Sequence, residues 1–238
     1  MKTVICLPTY NERENLEPML RALGGVLPAA GRVLVIDDGS PDGTGELADR
    51  LADDLGFVDV LHRETKEGLG RAYLAGFRRA LADGADLVFE MDCDFSHDPA
   101  DVPRLLSAAE AADLVLGSRY VPGGGTANWG VGRRFVSSAG SLYARVLLGV
   151  PIRDLTGGFK CYHRAVLETI DLDSISSLGY AFQIETTYRA LRKGFRVVEL
   201  PITFVDREVG TSKMSRRIML EAAWRVPALR VRAMAGRL

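Results

Sequence analysis

Asp92 and Asp94 stand one residue apart in the run Met91-Asp92-Cys93-Asp94-Phe95-Ser96-His97. The apolar run Leu87-Val88-Phe89 ahead of them reads as a buried strand. Carboxylates at the carboxyl end of a parallel strand sit where open α/β sheets bind ligands. Such a pair can hold a divalent cation against a diphosphate, the chemistry of an enzyme that uses a sugar nucleotide. Residues i and i+2 of a strand point the same way, and two like charges that close are costly unless a cation or donors compensate. The competing reading is a capped turn before the helix start at Asp98-Pro99. Asp98 fits that reading best, and His97 reads as a structural residue.

Two more polar turns follow strand-like runs. Pro8-Thr9-Tyr10-Asn11-Glu12 comes after the first, and Ile36-Asp37-Asp38-Gly39-Ser40 after the second. An acidic residue at a strand end often bonds a ribose hydroxyl or a base edge. Taken alone, the first turn reads better as a strand-to-helix turn with a good cap, while helix capping by acidic and Ser side chains explains the second equally well. Three such turns on one edge point more strongly to a ligand site than any one does.

The elements that must place these turns alternate. Strands are predicted over Thr3–Leu7, Val33–Ile36, Val58–Leu61, Leu87–Met91 and Leu114–Leu116. Between them lie a helix capped by Asn11 with Glu14 as its capping-box partner, a second opened by Asp42-Gly43-Thr44, a third over Gly70–Ala82 and a fourth over Pro99–Ala111. This rhythm predicts an α/β fold with a doubly wound, mostly parallel sheet. From Val121 to Gly132, Pro122 and five glycines predict a loop able to close over a ligand, with Trp129 available to lipid. A helix over Arg133–Leu148, strands at Phe159–Tyr162 and Val197–Leu200, and a helix over Phe182–Lys193 follow. The final segment is helical in pattern but interrupted by Pro227.

The 238 residues, 47% hydrophobic and 26% charged, suit one large domain with an ordinary core. A net charge of −1 argues against a nucleic-acid partner. The charge is uneven: residues 213–238 carry +6 and the remainder −7, which points to an anionic membrane surface as partner. Cys6, Cys93 and Cys161 fit no metal spacing or disulfide framework. The first strand begins too early for a signal peptide, and no run approaches the ~20 apolar residues of a membrane span. The expected location is peripheral, on the cytoplasmic face of a membrane.

Eight ordered motifs carry a resemblance that covers Pro8 to Met214. They are PTYNE (8–12), IDDGSPDGT (36–44), GLGRAYLAGF (68–77), MDCDFSHDP (91–99), GSRY (117–120), DLTGGFKCY (154–162), FQIE (182–185) and DREVGTSKM (206–214). With them the chain resembles the family 2 glycosyltransferases of GT-A type, and more closely the dolichol- or polyprenol-phosphate mannose synthases. The resemblance implies a single catalytic domain over 1–214, with a nucleotide-sugar half to 118 and an acceptor half beyond it, and a basic helical tail over 215–238. It implies that Pro8, Tyr10, Glu12, Ile36 and Asp38 hold the nucleoside of GDP-mannose. Asp92, Cys93 and Asp94 would meet the diphosphate, and Asp92, Asp94 and Ser96 its Mg²⁺ or Mn²⁺. Many relatives carry Gln at the Ser96 position; Ser reaches less far, which suits a bridging water.

Arg119, Arg133, Arg134, Arg207 and Lys213 flank turn-like segments, and Arg and Lys recognise phosphate strongly. Arg134 reads as a solvated surface residue. The resemblance implies that Arg119, Arg133, Ser137, Arg207 and Lys213 hold the phosphate of a polyprenyl (dolichyl-type) acceptor, with Asp94 and Arg119 as the catalytic pair. Gln183 and Glu185 would grip sugar hydroxyls, or simply open a helix. Direct attack by the acceptor phosphate would give a β-linked mannosyl phosphate. In the tail, Ile218, Ala222, Val226 and Leu229 form one stripe and Leu220, Trp224 and Val231 another. These suit an interfacial helix or docking to the body or to a small membrane subunit. Competing functions are a UDP-sugar-dependent transferase, a nucleotidyltransferase and a non-catalytic nucleotide-binding membrane module. A dinucleotide dehydrogenase fits poorly, because Gly68-x-Gly70 is followed by Tyr73 where a third glycine is needed.

Overall fold

The computed structural model of the chain describes residues 1–175, 177, 179–206, 216–236 and 238, with backbone alone over 216–223. Strands β1 (Thr3–Thr9), β2 (Gly31–Asp37), β3 (Val58–His62) and β4 (Leu87–Glu90) alternate with helices α1 (Arg13–Gly24), α2 (Thr44–Leu55) and α3 (Leu69–Ala82). Then come α4 (Val102–Ala109), β5 (Leu114–Ser118), β6 (Gly125–Ala127), α5 (Val131–Leu148), β7 (Lys160–His163) and α6 (Arg164–Thr169). The order ends with α7 (Gly179–Arg192), β8 (Val197–Pro201), β9 (Thr203–Val205) and α8 (Arg216–Met234). Seven strands form one sheet in the order β3-β2-β1-β4-β7-β5-β8. Strand β7 alone runs antiparallel, between β4 and β5. The fold is therefore α/β with a mostly parallel sheet.

Both faces of the sheet are covered, so its central strands are apolar on both sides rather than alternating. Ile5, Leu7, Val33, Val35 and Phe89 face α1, α2 and α4 in one core. Val4, Cys6, Leu34, Ile36 and Val88 face α3 and α7 in the other. Helix α3 sits close to the sheet because residue 76 is Gly: a Cβ there would meet Ile36 Cδ1 at 2.4 Å and Cys6 Sγ at 3.1 Å. That approach brings Tyr73 of α3 under the carboxyl end of β4.

Several expectations change. Asn11 does not cap α1; its φ is +56° and Glu12 takes the cap position without a side-chain cap bond. The first turn is instead tied to the second, as Asn11 N–H donates to Ser40 Oγ at 3.1 Å and Glu12 N–H to Thr44 Oγ1 at 3.1 Å. The segment Val121–Gly132 contains β6, which pairs in parallel with β9. Pro227 lies inside α8 without dividing it. Helix α8 packs on α5 and α7, with Val226, Leu229 and Ala233 in the core. One of the two tail stripes thus docks to the body, while Trp224 and Val231 of the other are exposed. Ile218, Leu220 and Ala222 lie outside the described side chains.

Candidate active site

Strand β4 ends at Glu90, and the next seven residues form a loop held from four sides. Tyr73 Oη donates to Asp92 Oδ1 at 3.2 Å. The Asp92 N–H donates to His97 Nδ1 at 3.1 Å. Burial is the main cause that lowers the His97 pKa, to about 4, so its ring is neutral and can accept this bond. The ring stacks on Phe159 at 5.0 Å, and Asp98 caps the following turn by accepting from Ala100 N–H at 2.9 Å. Phe95 takes φ +58° at the tip, and Ser96 N–H donates to Asp94 Oδ1 at 3.1 Å. Finally, Val205 N–H of β9 donates to Ser96 C=O at 3.3 Å, which ties the second half of the chain to the acidic loop.

Asp94 is 6% exposed and lines a cavity of about 470 Å³ with Asn15, Asp98, Val205 and Asp206. Among the described residues no three His, Cys, Asp or Glu side chains cluster as a self-sufficient metal site. Hard carboxylate oxygens on a solvent cavity suit a cation that takes its other ligands from a diphosphate and water. The residues fit Mg²⁺ or Mn²⁺ in that sense, with Asp94 best placed and Asp92 beside it. Ser96 is almost fully buried. Cys93 joins the core behind the loop. A smaller cavity of about 280 Å³ lies at the opposite end of the strands, lined by Lys2, Arg32 and Asp59, away from all of these acids.

At the β2 end, Asp37 is taken up by its own turn, with Ser40 Oγ donating to Oδ1 at 2.5 Å and Ser40 N–H to Oδ2 at 3.2 Å. Asp38 is buried and paired with Arg63, which also reaches Glu67. Burial raises the Asp38 pKa, against the pull of Arg63 and the Gly68 N–H. Lys66 lies 3.6 Å above the Tyr10 ring. Pro8 and Glu12 stand with Tyr10 at the end of β1, both half-buried. Ile36 is fully buried beneath α3 and supports the two acids from below.

The cations come with partners of their own. Arg119 donates side-on to Asp154, Nε to Oδ2 at 2.7 Å and Nη2 to Oδ1 at 2.7 Å, and its backbone N–H reaches Oδ2 at 3.0 Å. Burial opposes both charges, but their mutual attraction prevails: the Asp154 pKa falls and that of Arg119 rises. Trp129 and Phe204 lie 5.6 and 5.5 Å from the Arg119 guanidinium. Arg133 pairs with Asp206 and stacks on Trp129 at 4.3 Å. Ser137 accepts from Tyr120 Oη at 2.8 Å. Arg134 is exposed, as a solvated residue would be. Arg207 and Lys213 lie outside the described residues.

Gln183 and Glu185 part company. Gln183 Nε2 donates to Glu90, and its buried Oε1 has no partner among the described residues. A Cβ at residue 158 would lie 3.2 Å from that Nε2 and 3.9 Å from His97 Cε1, so Gly158 lets Gln183 approach the acidic loop. Glu185 is fully buried and held by Ser177 and by Arg189 at 2.6 and 2.9 Å. It braces α7. Asp154, Asp206 and Tyr73 contact the candidate site residues, and the sequence did not single them out. Their motifs are visible, but their partners, from 19 to 73 residues away, are not.

The Glycosyl transferase family 2 model matches residues 4–171. An undecaprenyl-phosphate mannosyltransferase of Micrococcus luteus is 52% identical over 222 residues, 93% of this chain and 91% of its own. A polyprenol monophosphomannose synthase of Mycolicibacterium smegmatis is 52% identical over 227 residues, 94% of this chain and 85% of its own. Among solved structures, glucosyl-3-phosphoglycerate synthase of Mycobacterium tuberculosis with phosphoglyceric acid is 20% identical with a TM-score of 0.68, covering 94% of this chain and 80% of that one. The same enzyme with Mn²⁺, UDP and glucosyl-3-phosphoglycerate gives a TM-score of 0.64 at 20% identity, covering 99% and 79%. The fold is shared with these structures, and by the family match and its half-identical relatives the chain belongs to glycosyl transferase family 2, on the polyprenol-phosphate mannose synthase branch.

Proposed function

We propose that the enzyme transfers mannose from GDP-mannose to a polyprenyl monophosphate, with inversion at the anomeric carbon. The relatives' activity supports the mannosyl and polyprenyl parts. The observation that carries the reading is one cavity with an acidic wall to which a cation is tied: Asp206 lines it together with Asp94 and also pairs with Arg133. The acid loop suits the donor's diphosphate, and the cations suit a second phosphate.

A phosphate monoester has its second pKa near ~6 and is mostly dianionic at neutral pH. It is already a nucleophile and needs no strong base. It needs charge shielding, so that a dianion can approach a diphosphate sugar. Arg133, paired with Asp206 on the cavity wall, supplies that, while Arg119, its charge offset by Asp154, packs behind it against Trp129 and Phe204. The acceptor oxygen bonds to C1 as the bond from C1 to the GDP oxygen breaks, which gives the β-linked product. A bound Mg²⁺ or Mn²⁺, held by Asp94 with Asp92 and Ser96 nearby, would supply neutralisation of the leaving diphosphate. Tyr73 and His97 keep the acid loop in place. A thermal-shift series with GDP, UDP and NAD, each with and without Mn²⁺, tests the donor. GDP with Mn²⁺ is expected to stabilise most; stabilisation by UDP or NAD alone contradicts the reading.

Residues 1–214 form the catalytic body in this reading, and α5 with α8 forms its membrane-facing side. Val131, Phe135, Leu142 and Val146 of α5 are 86%, 72%, 57% and 72% exposed, and Trp224 and Val231 of the neighbouring α8 are 81% and 66% exposed. Arg134, Arg145, Arg225 and Arg232 lie on the same two helices. Apolar side chains beside cations suit a helix lying in an anionic interface. Among the described residues no helix is long and apolar enough to cross a membrane. Deleting the tail would also strip Val226 and Leu229 from the core, so surface variants are the sharper test. Phe135→Asp combined with Val146→Asp is expected to weaken binding to anionic vesicles by about 10-fold or more. Unchanged cosedimentation would refute the membrane role of α5.

A further inference from the structure

Glu90 and Lys160 face each other across the antiparallel β4–β7 pair, and both side chains are fully buried. Their nearest charged atoms are 4.0 Å apart. The surroundings are aromatic: the Tyr162 ring centre lies 5.9 Å from Lys160 Nζ, and Phe77 packs on Tyr162 at 5.5 Å. Apolar residues of similar volume are often as stable as a buried ion pair, or more so. Stability alone therefore does not account for two charges here. Their place does, two residues ahead of Asp92.

Both oxygens of Glu90 are held from the second half of the chain. Oε1 accepts from Gln183 Nε2 of α7, and Oε2 accepts from Tyr162 Oη of β7 at 3.1 Å. Lys160 closes the frame, its Nζ donating to Gln183 C=O at 2.9 Å and to Thr186 Oγ1 at 3.2 Å. We propose that Glu90 and Lys160 are positioning residues for the donor site, a buried pedestal that fixes the carboxyl end of β4 and so aims Asp92 and Asp94 at the metal and diphosphate. The nature of that ligand rests on the function proposed above.

The β4–β7 ladder ends at the Glu90–Lys160 pair, so the side-chain frame takes over where backbone pairing stops, just ahead of the acid loop. Asp92 follows Glu90 by two residues, the strand spacing that returns a side chain to the same face. Tyr73 meets both acids there. Its Oη donates to Asp92, and burial first, then the charges of Asp92 and Glu90, hold its pKa well above the usual phenol range, so it stays a donor. Without Lys160 the Glu90 charge would repel Asp92 in a poorly solvated site.

Glu90→Leu and Lys160→Met each strand one buried charge, and each should lower the melting temperature by about 10 °C. The double variant removes both charges and should regain most of that loss. Calorimetric titration with GDP, with and without Mn²⁺, then separates aim from stability. The double variant's affinity for GDP with Mn²⁺ is still expected to fall about 10-fold, the usual effect of losing groups that orient metal ligands. Its affinity for GDP alone should stay within about two-fold of wild type. Tyr162→Phe keeps the ring and the charge pair and removes one bond to Glu90; it should weaken GDP binding with Mn²⁺ about 3-fold. A double variant that regains its melting temperature and binds GDP with Mn²⁺ as wild type does overturns the proposal. If the double variant stays unstable, wild-type affinity in Tyr162→Phe overturns it instead. Should the wild type bind UDP with Mn²⁺ and not GDP, the donor assigned above falls, and weaker UDP binding by the same variants still upholds the pedestal.

Discussion

Asp94→Asn should lower kcat by about 10²–10³-fold while leaving the fold intact. The substitution is nearly isosteric, and an amide oxygen can still accept the Ser96 N–H that Asp94 Oδ1 accepts at 3.1 Å. The loop should therefore keep its shape, as Tyr73, His97 and Val205 hold it independently. What disappears is one negative charge on the cavity wall, and with it the hold on a cation that offsets charge on the leaving diphosphate. Loss of a single preorganised electrostatic contact of this kind typically costs about 10²–10³-fold in kcat. Steady-state kinetics across a Mn²⁺ titration would show a lower plateau and a shift to higher metal concentration. Full activity with unchanged metal dependence would remove Asp94 from the site.

Asp154→Ala should cost about 3–5 kcal/mol of stability, because it leaves the Arg119 charge buried without its partner. The side chains of the pair are 5% and 0% exposed, which separates it from the surface pairs. Arg21–Glu17, for comparison, has side chains 60% and 44% exposed, and such pairs contribute at most about 1 kcal/mol. The same change should lower activity, since Asp154 aims the guanidinium that faces Trp129 and Phe204. The pH dependence follows from the direction of the Asp154 shift, whose folded pKa lies below the ordinary carboxylate value. The unfolded chain therefore binds more protons in that range, and the stabilisation is full above about pH 4 and is lost as pH falls through the folded value. Urea unfolding at neutral and acidic pH measures both effects. A loss under about 1 kcal/mol at neutral pH would mean that the pair is not a buried one.

The parts of this molecule that depend on neighbours in sequence are legible in the sequence itself. The β-α-β rhythm follows from the spacing of apolar residues, and Asp98 acts as the turn cap its position before Pro99 suggests. The acid loop could be placed because Leu87–Phe89 fixes where the strand stops. What the sequence hid are choices of partner over distance. Strand β7 inserts antiparallel between β4 and β5, although nothing in Lys160–His163 marks its direction. The three-residue strands β6 and β9 are too short for a periodic signal, and they become strands only by pairing with each other. The Asn11 cap failed because Ser40 and Thr44, on the next turn, offer better-placed oxygens than the helix itself.

The candidate site shows the same division. Asp92, Asp94, Arg119 and Arg133 could be picked from residue type and motif, but their electrostatic state could not. Arg119 is neutralised by Asp154, Arg133 is held by Asp206, and Asp38 is paired with Arg63. Gln183 and Glu185 look alike two residues apart, yet Gln183 sits behind the acid loop and Glu185 braces Arg189. Side chains two apart on a helix point in different directions, so only packing distinguishes them.

The most direct test of the central claim is transfer of labelled mannose from GDP-mannose to a polyprenyl monophosphate by the purified wild-type chain with Mg²⁺ or Mn²⁺. The expected result is a metal-dependent, mild-acid-labile lipid product with a β linkage, formed from GDP-mannose and not from UDP-glucose. Transfer from UDP-glucose alone, or no lipid-linked product from either donor, would contradict it.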